Sequence, residues 1–132
     1  CVLRVQAQGG SVLLTGDIEA AQEKALIASA PVGPDSASRL RADVLLVPHH
    51  GSNTSSTAEF LAVVAPRWAW VQAGYRNRYG HPTVAVMARY QAQGTQVLES
   101  VRCGAGRWRS AQADQVHCER WAHARYWHHQ VP

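Results

Sequence analysis

Asp43-Val44-Leu45-Leu46-Val47-Pro48-His49-His50-Gly51-Ser52 sets a short apolar run directly against a polar loop that holds two adjacent imidazoles. Asp43–Val47 reads as a strand, the nearest the chain comes to a buried run, and it is far too short to cross a bilayer. Pro48 ends it. Downstream, Ser56 or Thr57 is placed to cap a helix running through Val64 with Phe60, Leu61 and Val64 inward, and Pro66 stops it. Trp68–Gln72 is a further apolar strand. After the polar loop Ala73–Pro82, Thr83 caps a helix from Val84 to about Gln93, which Gly94 ends.

Upstream, Val2–Ala7 and Ser11–Thr15 flank Gln8-Gly9-Gly10 as a hairpin. Ile18 to Ser29 is rich in helix formers, with Ala21, Ala25 and Leu26 at roughly helical spacing, and Pro31, Gly33 and Pro34 break the chain after it. Gln96–Val101 and Arg107–Arg109 bracket Cys103-Gly104-Ala105-Gly106 as a second hairpin. The alternation of strand, loop and helix predicts an α/β fold, a mixed sheet with flanking helices. Val12–Thr15, Asp43–Val47 and Trp68–Gln72 are each followed by a helix. They should therefore run mostly parallel, with their carboxyl ends sharing one edge, where open sheets place ligand sites.

The 132 residues suit one domain, and 46% hydrophobic with 17% charged residues is ordinary for a globular chain. Neither a transmembrane segment nor a secretory signal is legible. Because the chain starts at Cys1 rather than Met, a piece of a larger protein or a processed product is expected. Net charge is +4, with Lys24 the only lysine among 13 basic residues. That bias fits genome composition as well as attraction to a polyanion, since Arg pairs with phosphate and stacks on bases. Cys1, Cys103 and Cys118 have no Cys-x-x-Cys spacing, which excludes a zinc ribbon within the chain. Cys103 and Cys118 are open to two readings, a disulfide or two thiols.

Three loops follow the apolar strands: Thr15-Gly16-Asp17, Pro48-His49-His50-Gly51-Ser52, and Asn77-Arg78-Tyr79-Gly80-His81-Pro82. Together they offer Asp17, read here as the only acid at the three strand ends, with His49, His50 and His81. Carboxylate and imidazole without cysteine suit Zn²⁺ or Mn²⁺, and a two-metal site of this kind activates water for attack on a phosphodiester. Each loop also has a plainer reading. Asp17 can cap a helix beginning at Ile18, the His49–His50 pair can be a surface loop, and His81 can be a turn residue before Pro82. No single motif is specific; three such loops at successive strand ends are the signal.

Leu13-Leu14-Thr15-Gly16-Asp17, Ala42 through Ser52 and Asn77 through Pro82 together resemble, in order and spacing, ComEC-type DNA-internalisation competence proteins over about residues 1–109. The resemblance implies the carboxyl-terminal half of a metallo-β-lactamase αββα sandwich. It implies a soluble domain carried by a multi-pass membrane channel of the cell inner membrane, on the periplasmic or outer face. It implies metal-dependent nuclease activity that degrades the strand of transforming DNA that is not imported. Asp17 matches the metal-bridging aspartate of that fold, and His50 or His49 together with His81 match its later active-site histidines. The implied partners are DNA, the amino-terminal half of the same domain and the membrane channel.

Two features depart from the family pattern. Its first metal motif, of His-x-His-x-Asp-His type, has no counterpart here, so the isolated chain is expected to be inactive and to bind Zn²⁺ or Mn²⁺ weakly. Gln72 stands where a small hydroxyl residue is expected. Two other functions stay open: a non-catalytic nucleic-acid-binding remnant of the same fold, or a metallohydrolase acting on a small ester or lactam. Arg67, Arg76 and Arg78 are candidates to hold the DNA backbone beside the metal, or form a solvated loop. Residues 110–132 read as an aromatic, basic tail. Trp108, Trp121, Tyr126 and Trp127 interleave there with Arg107, Arg109, Arg120 and Arg125, a pattern that can stack bases but is read first as packing on the domain.

Overall fold

The computed structural model describes residues 1–29 and 39–129; the chain breakers Pro31, Gly33 and Pro34 fall outside the described residues. β1 (Leu3–Ala7) and β2 (Gly10–Leu14) form the expected antiparallel hairpin. From β2 the chain passes through α1 (Ala20–Ser29) to β3 (Val44–Leu46), through α2 (Ala58–Val64) to β4 (Trp68–Val71), and through α3 (Val84–Ala92) to β5 (Gln96–Glu99). The sheet order is β1-β2-β3-β4-β5, with every pair after the first parallel. Three strand–helix–strand crossovers thus bring the carboxyl ends of β2, β3 and β4 to one edge, as the sequence pattern requires.

Alternate residues divide the two faces. Leu13, Leu45, Ala69 and Val71 point to the helices and pack with Phe60, Leu61, Val64, Val86 and Tyr90 in the main core. Val44, Trp68 and Leu98 point the other way, with Val12 and Trp70, toward Cys103, Trp108, Val116 and Cys118. The local signals behind the two later helices hold in detail. Thr57 Oγ1 accepts from the Phe60 N–H, Thr83 Oγ1 accepts from the Val86 N–H, and Gly94 at φ +70° follows α3.

Two readings of the sequence are corrected. In α1 the buried polar residue is Glu23, with Leu26 and Ile27 against the core, whereas Ala21 and Ala25 face solvent. The Glu23 carboxylate accepts from the Ser56 N–H at 2.6 Å, the Thr57 N–H at 2.8 Å and the Thr57 hydroxyl at 2.7 Å, so a polar partner at the amino end of α2 decides which face turns in. The second correction concerns residues 96–109, which form no hairpin. β5 pairs parallel with β4, Ser100–Cys103 (α4) turns as a short helix, and β6 (Gly106–Trp108) pairs antiparallel with β7 (Val116–Cys118), ahead of the short helix α5 (Glu119–Ala122). Strand pairing and a Cys103–Cys118 disulfide both cross residue 109. The Ala113 carbonyl accepts from the indoles of Trp68 and Trp108, the Glu119 N–H donates to the Ala105 carbonyl, and His129 Nε2 meets the Tyr75 hydroxyl at 3.0 Å, so the tail packs on the domain through β7 and again at His129. Between them Trp121, Tyr126 and Trp127 are exposed, and Arg125 lies over the Trp127 ring.

Tyr90 is fully buried, and its hydroxyl pairs with Ser56 Oγ at 3.1 Å. Burial pushes this phenol far above the usual tyrosine range; Glu23 adds to the rise and the Ser56 hydrogen bond opposes it. The folded state therefore holds the Tyr90 proton more tightly than the unfolded chain does. Stability that is present below the unfolded pKa of about 10 should fall as pH rises beyond it. Tyr90→Phe should flatten that loss in denaturant titrations between about pH 10 and 11, whatever its effect at neutrality.

Candidate metal centre at the strand ends

The turn after β3 is the most constrained backbone in the site. His49 (φ 48°, ψ 41°) and His50 (φ 56°, ψ 16°) are both left-handed, and Gly51 follows at φ +84°. Non-glycine residues in this region cost of order 1 kcal/mol or more each, and such strain is characteristic of functional loops. The turn is held from several sides. The His49 N–H donates to the Gly16 carbonyl, the Thr83 N–H donates to the Gly51 carbonyl, and Ser55 Oγ donates to the Pro48 carbonyl. A Cβ on Gly51 would sit 2.6 Å from Pro82 Cβ. Gly51→Ala should thus cost about 2–4 kcal/mol, because it adds positive-φ strain to a clash. The two histidine loops should separate, which a lowered urea midpoint and shifted histidine ring resonances would report.

The side chains singled out from sequence meet along this edge. His50 Nε2 lies 3.6 Å from Asp17 Oδ1. His50 Nδ1 is 2.6 Å from the Gln72 carbonyl, an acceptor only, so Nδ1 carries a proton and donates it there, and Nε2 is the ring nitrogen that faces Asp17. The ring of His49 stands 6.5 Å from that of His50 and 6.1 Å from that of His81. Asp17, His50, His49 and His81 therefore form one continuous row, although His81 follows Asp17 by 64 positions. Asp17 is two-thirds exposed and α1 begins only at Ala20, whose N–H goes to the Thr54 carbonyl, so Asp17 does not cap the helix.

Some contributors went unread in the sequence. Glu19 Oε1 comes within 3.1 Å of His49 Nδ1, so Asp17 is not the only acid at the strand ends. The contact does not count as a hydrogen bond. Asn77 grips His81 from both sides, its side-chain NH₂ donating to the His81 carbonyl at 2.7 Å and its side-chain oxygen accepting the His81 N–H at 3.0 Å. Tyr79 stacks on the His81 ring at 5.8 Å. At position 72 the contact to His50 comes from the main chain, so a glutamine there removes nothing His50 needs.

The arginines do not stay together. Arg76 lies over the Tyr75 ring at 5.2 Å and Arg78 over the Tyr79 ring at 4.8 Å, both on the His81 loop. Arg67 precedes β4, where its backbone joins Asp43 and Gln96 at the amino ends of the strands. Five residues of strand at about 3.3 Å each put it roughly 16 Å from Gln72, at the opposite edge from the histidines.

His49 Nδ1 and His81 Nδ1 are buried ring nitrogens with no hydrogen bond among the described residues. Such orphans in native folds call for a water, an ion or a ligand. Two carboxylates and three imidazoles on one edge, one imidazole oriented by a backbone carbonyl, are donor types that Zn²⁺ or Mn²⁺ takes, but their ligand atoms do not converge as those of His117, Glu119 and His123 do among the described residues.

No family model matches the chain. It is 42% identical over 105 residues to competence protein ComA of Neisseria gonorrhoeae, spanning 80% of this chain and 14% of that protein. It is 36% identical over 103 residues to ComE operon protein 3 of Bacillus subtilis, 78% of this chain and 12% of that one. It is 34% identical over 130 residues to the uncharacterized protein YcaI of Escherichia coli, 93% of this chain and 16% of the relative. With an α/β sheet whose carboxyl-end loops carry Asp17, His49, His50 and His81, the chain is thus a homologue of competence proteins, spanning about one seventh of their length or less.

Proposed function

We propose that this chain supplies the carboxyl-terminal part of a divalent-metal site in a metallo-β-lactamase-like nuclease domain, which degrades the non-imported strand of DNA during uptake. The observation that carries the reading is the row at the strand ends: Asp17 and His50 3.6 Å apart, with a buried His81 Nδ1 that makes no hydrogen bond among the described residues and His49 Nδ1 beside Glu19 Oε1 at 3.1 Å. Asp17 and His50 would hold the ion, with His49 or His81 completing its shell from this chain. When bound, such an ion lowers the pKa of water toward neutrality and offsets charge on a phosphoryl group. The Gln72 carbonyl keeps His50 in the tautomer that can ligate, and Asn77 fixes the backbone of His81. Arg76 and Arg78 flank the row with guanidinium groups suited to phosphate oxygens.

The β1–β2 end of the sheet face opposite α1–α3 supports the half-sandwich reading. Leu3, Val5 and Leu14 are exposed there on the face of Val12, beyond the part that α4, β6 and β7 cover. In a four-layer sandwich that face meets a second sheet, here the amino-terminal half of the same domain. No helix among the described residues is long and apolar enough to cross a membrane, so the inner-membrane channel of the reading would be supplied by the longer parent.

The test uses the longer parent protein with single-stranded and duplex DNA, with Zn²⁺ or Mn²⁺ added and then chelated. Cleavage that requires the metal supports the reading; a metal-loaded parent that binds DNA without cutting it refutes it. Arg76→Ala with Arg78→Ala should weaken DNA binding and lower the salt slope by about 1–2, whereas Arg67→Ala should leave both nearly unchanged. Fluorescence anisotropy across a salt series reads both.

A further inference from the structure

We propose that His117, Glu119 and His123 form a second metal site, of the zinc class, independent of the strand-end row. Their donor atoms all lie within 4.8 Å of one another. Glu119 Oε2 is 3.0 Å from His123 Nδ1, and Glu119 Oε1 is 3.5 Å from His117 Nε2. Four donors at about 2.1 Å around a tetrahedral ion stand about 3.4 Å apart, so the carboxylate already sits at ligand spacing from both rings.

The convergence is built by the backbone. His117 pairs with Arg107 in the β6–β7 ladder, and Cys118 beside it is tied to Cys103 by the disulfide. The Glu119 N–H donates to the Ala105 carbonyl, and the His123 N–H donates to the Glu119 carbonyl, a single helical turn that brings residues 119 and 123 to one side. The site therefore uses a strand, the strand–helix junction and the end of α5. Two imidazoles and one carboxylate are a donor set that zinc takes, with a further position left to solvent or another ligand. His128 borders the same pocket as Glu119 and His123. Bound metal would tie α5, and the aromatic tail after it, to the disulfide-linked hairpin. Arg107 now contacts Glu119 Oε1 at 2.8 Å, so a metal ion has to displace this guanidinium or share the carboxylate with it.

The experiment is zinc calorimetry, with Co²⁺ absorption as a second readout, on the 132-residue chain and three variants. The unaltered chain should bind one equivalent at this site. Asp17→Ala with His50→Ala should retain that equivalent, because the strand-end row is elsewhere. His117→Ala with His123→Ala should weaken it about 100-fold or more, since losing even an outer-shell partner of a ligand costs 10–100-fold. Arg107→Ala should tighten it, because the competing cation is gone. His117 and His123 are exposed, so their loss leaves the core intact. Zinc binding unaltered in the His117/His123 variant, or lost only in the Asp17/His50 variant, overturns the proposal, as does a chain that binds no zinc. Failure of the nuclease reading alone would leave the His117/His123 result standing.

Discussion

Asp17→Ala in the parent protein is expected to lower metal-dependent DNA cleavage by about 10³-fold or more, equivalent to about 4 kcal/mol of transition-state stabilisation. The expectation rests on the proposed nuclease function. Asp17 is the carboxylate that faces Nε2 of His50, 3.6 Å away. Glu19 cannot take its place, because its Oε1 is engaged with His49 Nδ1 on the neighbouring ring and with the Thr54 hydroxyl at 3.0 Å. Glu19→Ala should accordingly cost much less. The Asp17 side chain is two-thirds exposed and caps no helix, so the variant should unfold at the same urea concentration as the parent. Cleavage rate, metal stoichiometry and urea midpoint together check the prediction. Unchanged cleavage by Asp17→Ala would remove Asp17 from the site.

The largest expected effect on stability is at Glu23. Its side chain is fully buried, and its two oxygens take three hydrogen bonds from Ser56 and Thr57 at the start of α2. Glu23→Ala would leave two backbone N–H groups and a hydroxyl without their acceptor, and would open a cavity between α1 and α2. Hydrogen bonds to charged groups contribute about 1.5–3 kcal/mol each and are not additive, and stranding a buried polar network costs about 3–5 kcal/mol. A loss of about 3–5 kcal/mol should appear as a lower urea midpoint with little change in slope. For a domain whose total stability is about 5–15 kcal/mol, that brings it close to unfolding. Glu23→Gln keeps one acceptor oxygen and should fall between the two. An alanine variant as stable as the parent would show that α1 and α2 are held by their apolar contacts alone.

Much of the scaffold was legible because its signals are local. An apolar run closed by a proline made β3, threonines placed before apolar spacing capped α2 and α3, and Gly94 closed the latter. Strands separated by helices implied parallel pairing, and parallel pairing alone brings Asp17, His50 and His81 to one edge. No contact had to be foreseen for that step, since crossover topology dictates it.

What the sequence by itself determined, then, was the α/β layout and the edge on which its strand-end loops meet. Tertiary structure decided the rest, for reasons that hydrophobic periodicity does not encode. Ala21, Ala25 and Leu26 sit at roughly helical spacing, but three donors from Ser56 and Thr57 just ahead of α2 hold the Glu23 carboxylate inward and leave Ala21 and Ala25 in solvent. Closeness in sequence grouped Arg67 with Arg76 and Arg78, yet an extended strand carries the chain across the sheet and puts Arg67 at the far edge. Glu19 reached His49 because the turn after β2 folds back on the turn after β3, a contact set by the His49 N–H to Gly16 hydrogen bond. The pairing of Cys103 with Cys118, left open by a count of three cysteines, was decided when β6 and β7 paired and brought the two Cα atoms to 4.7 Å. The same pairing, followed by one turn of helix, gathered His117, Glu119 and His123, because side chains spaced irregularly along a chain converge only after the backbone between them has a shape.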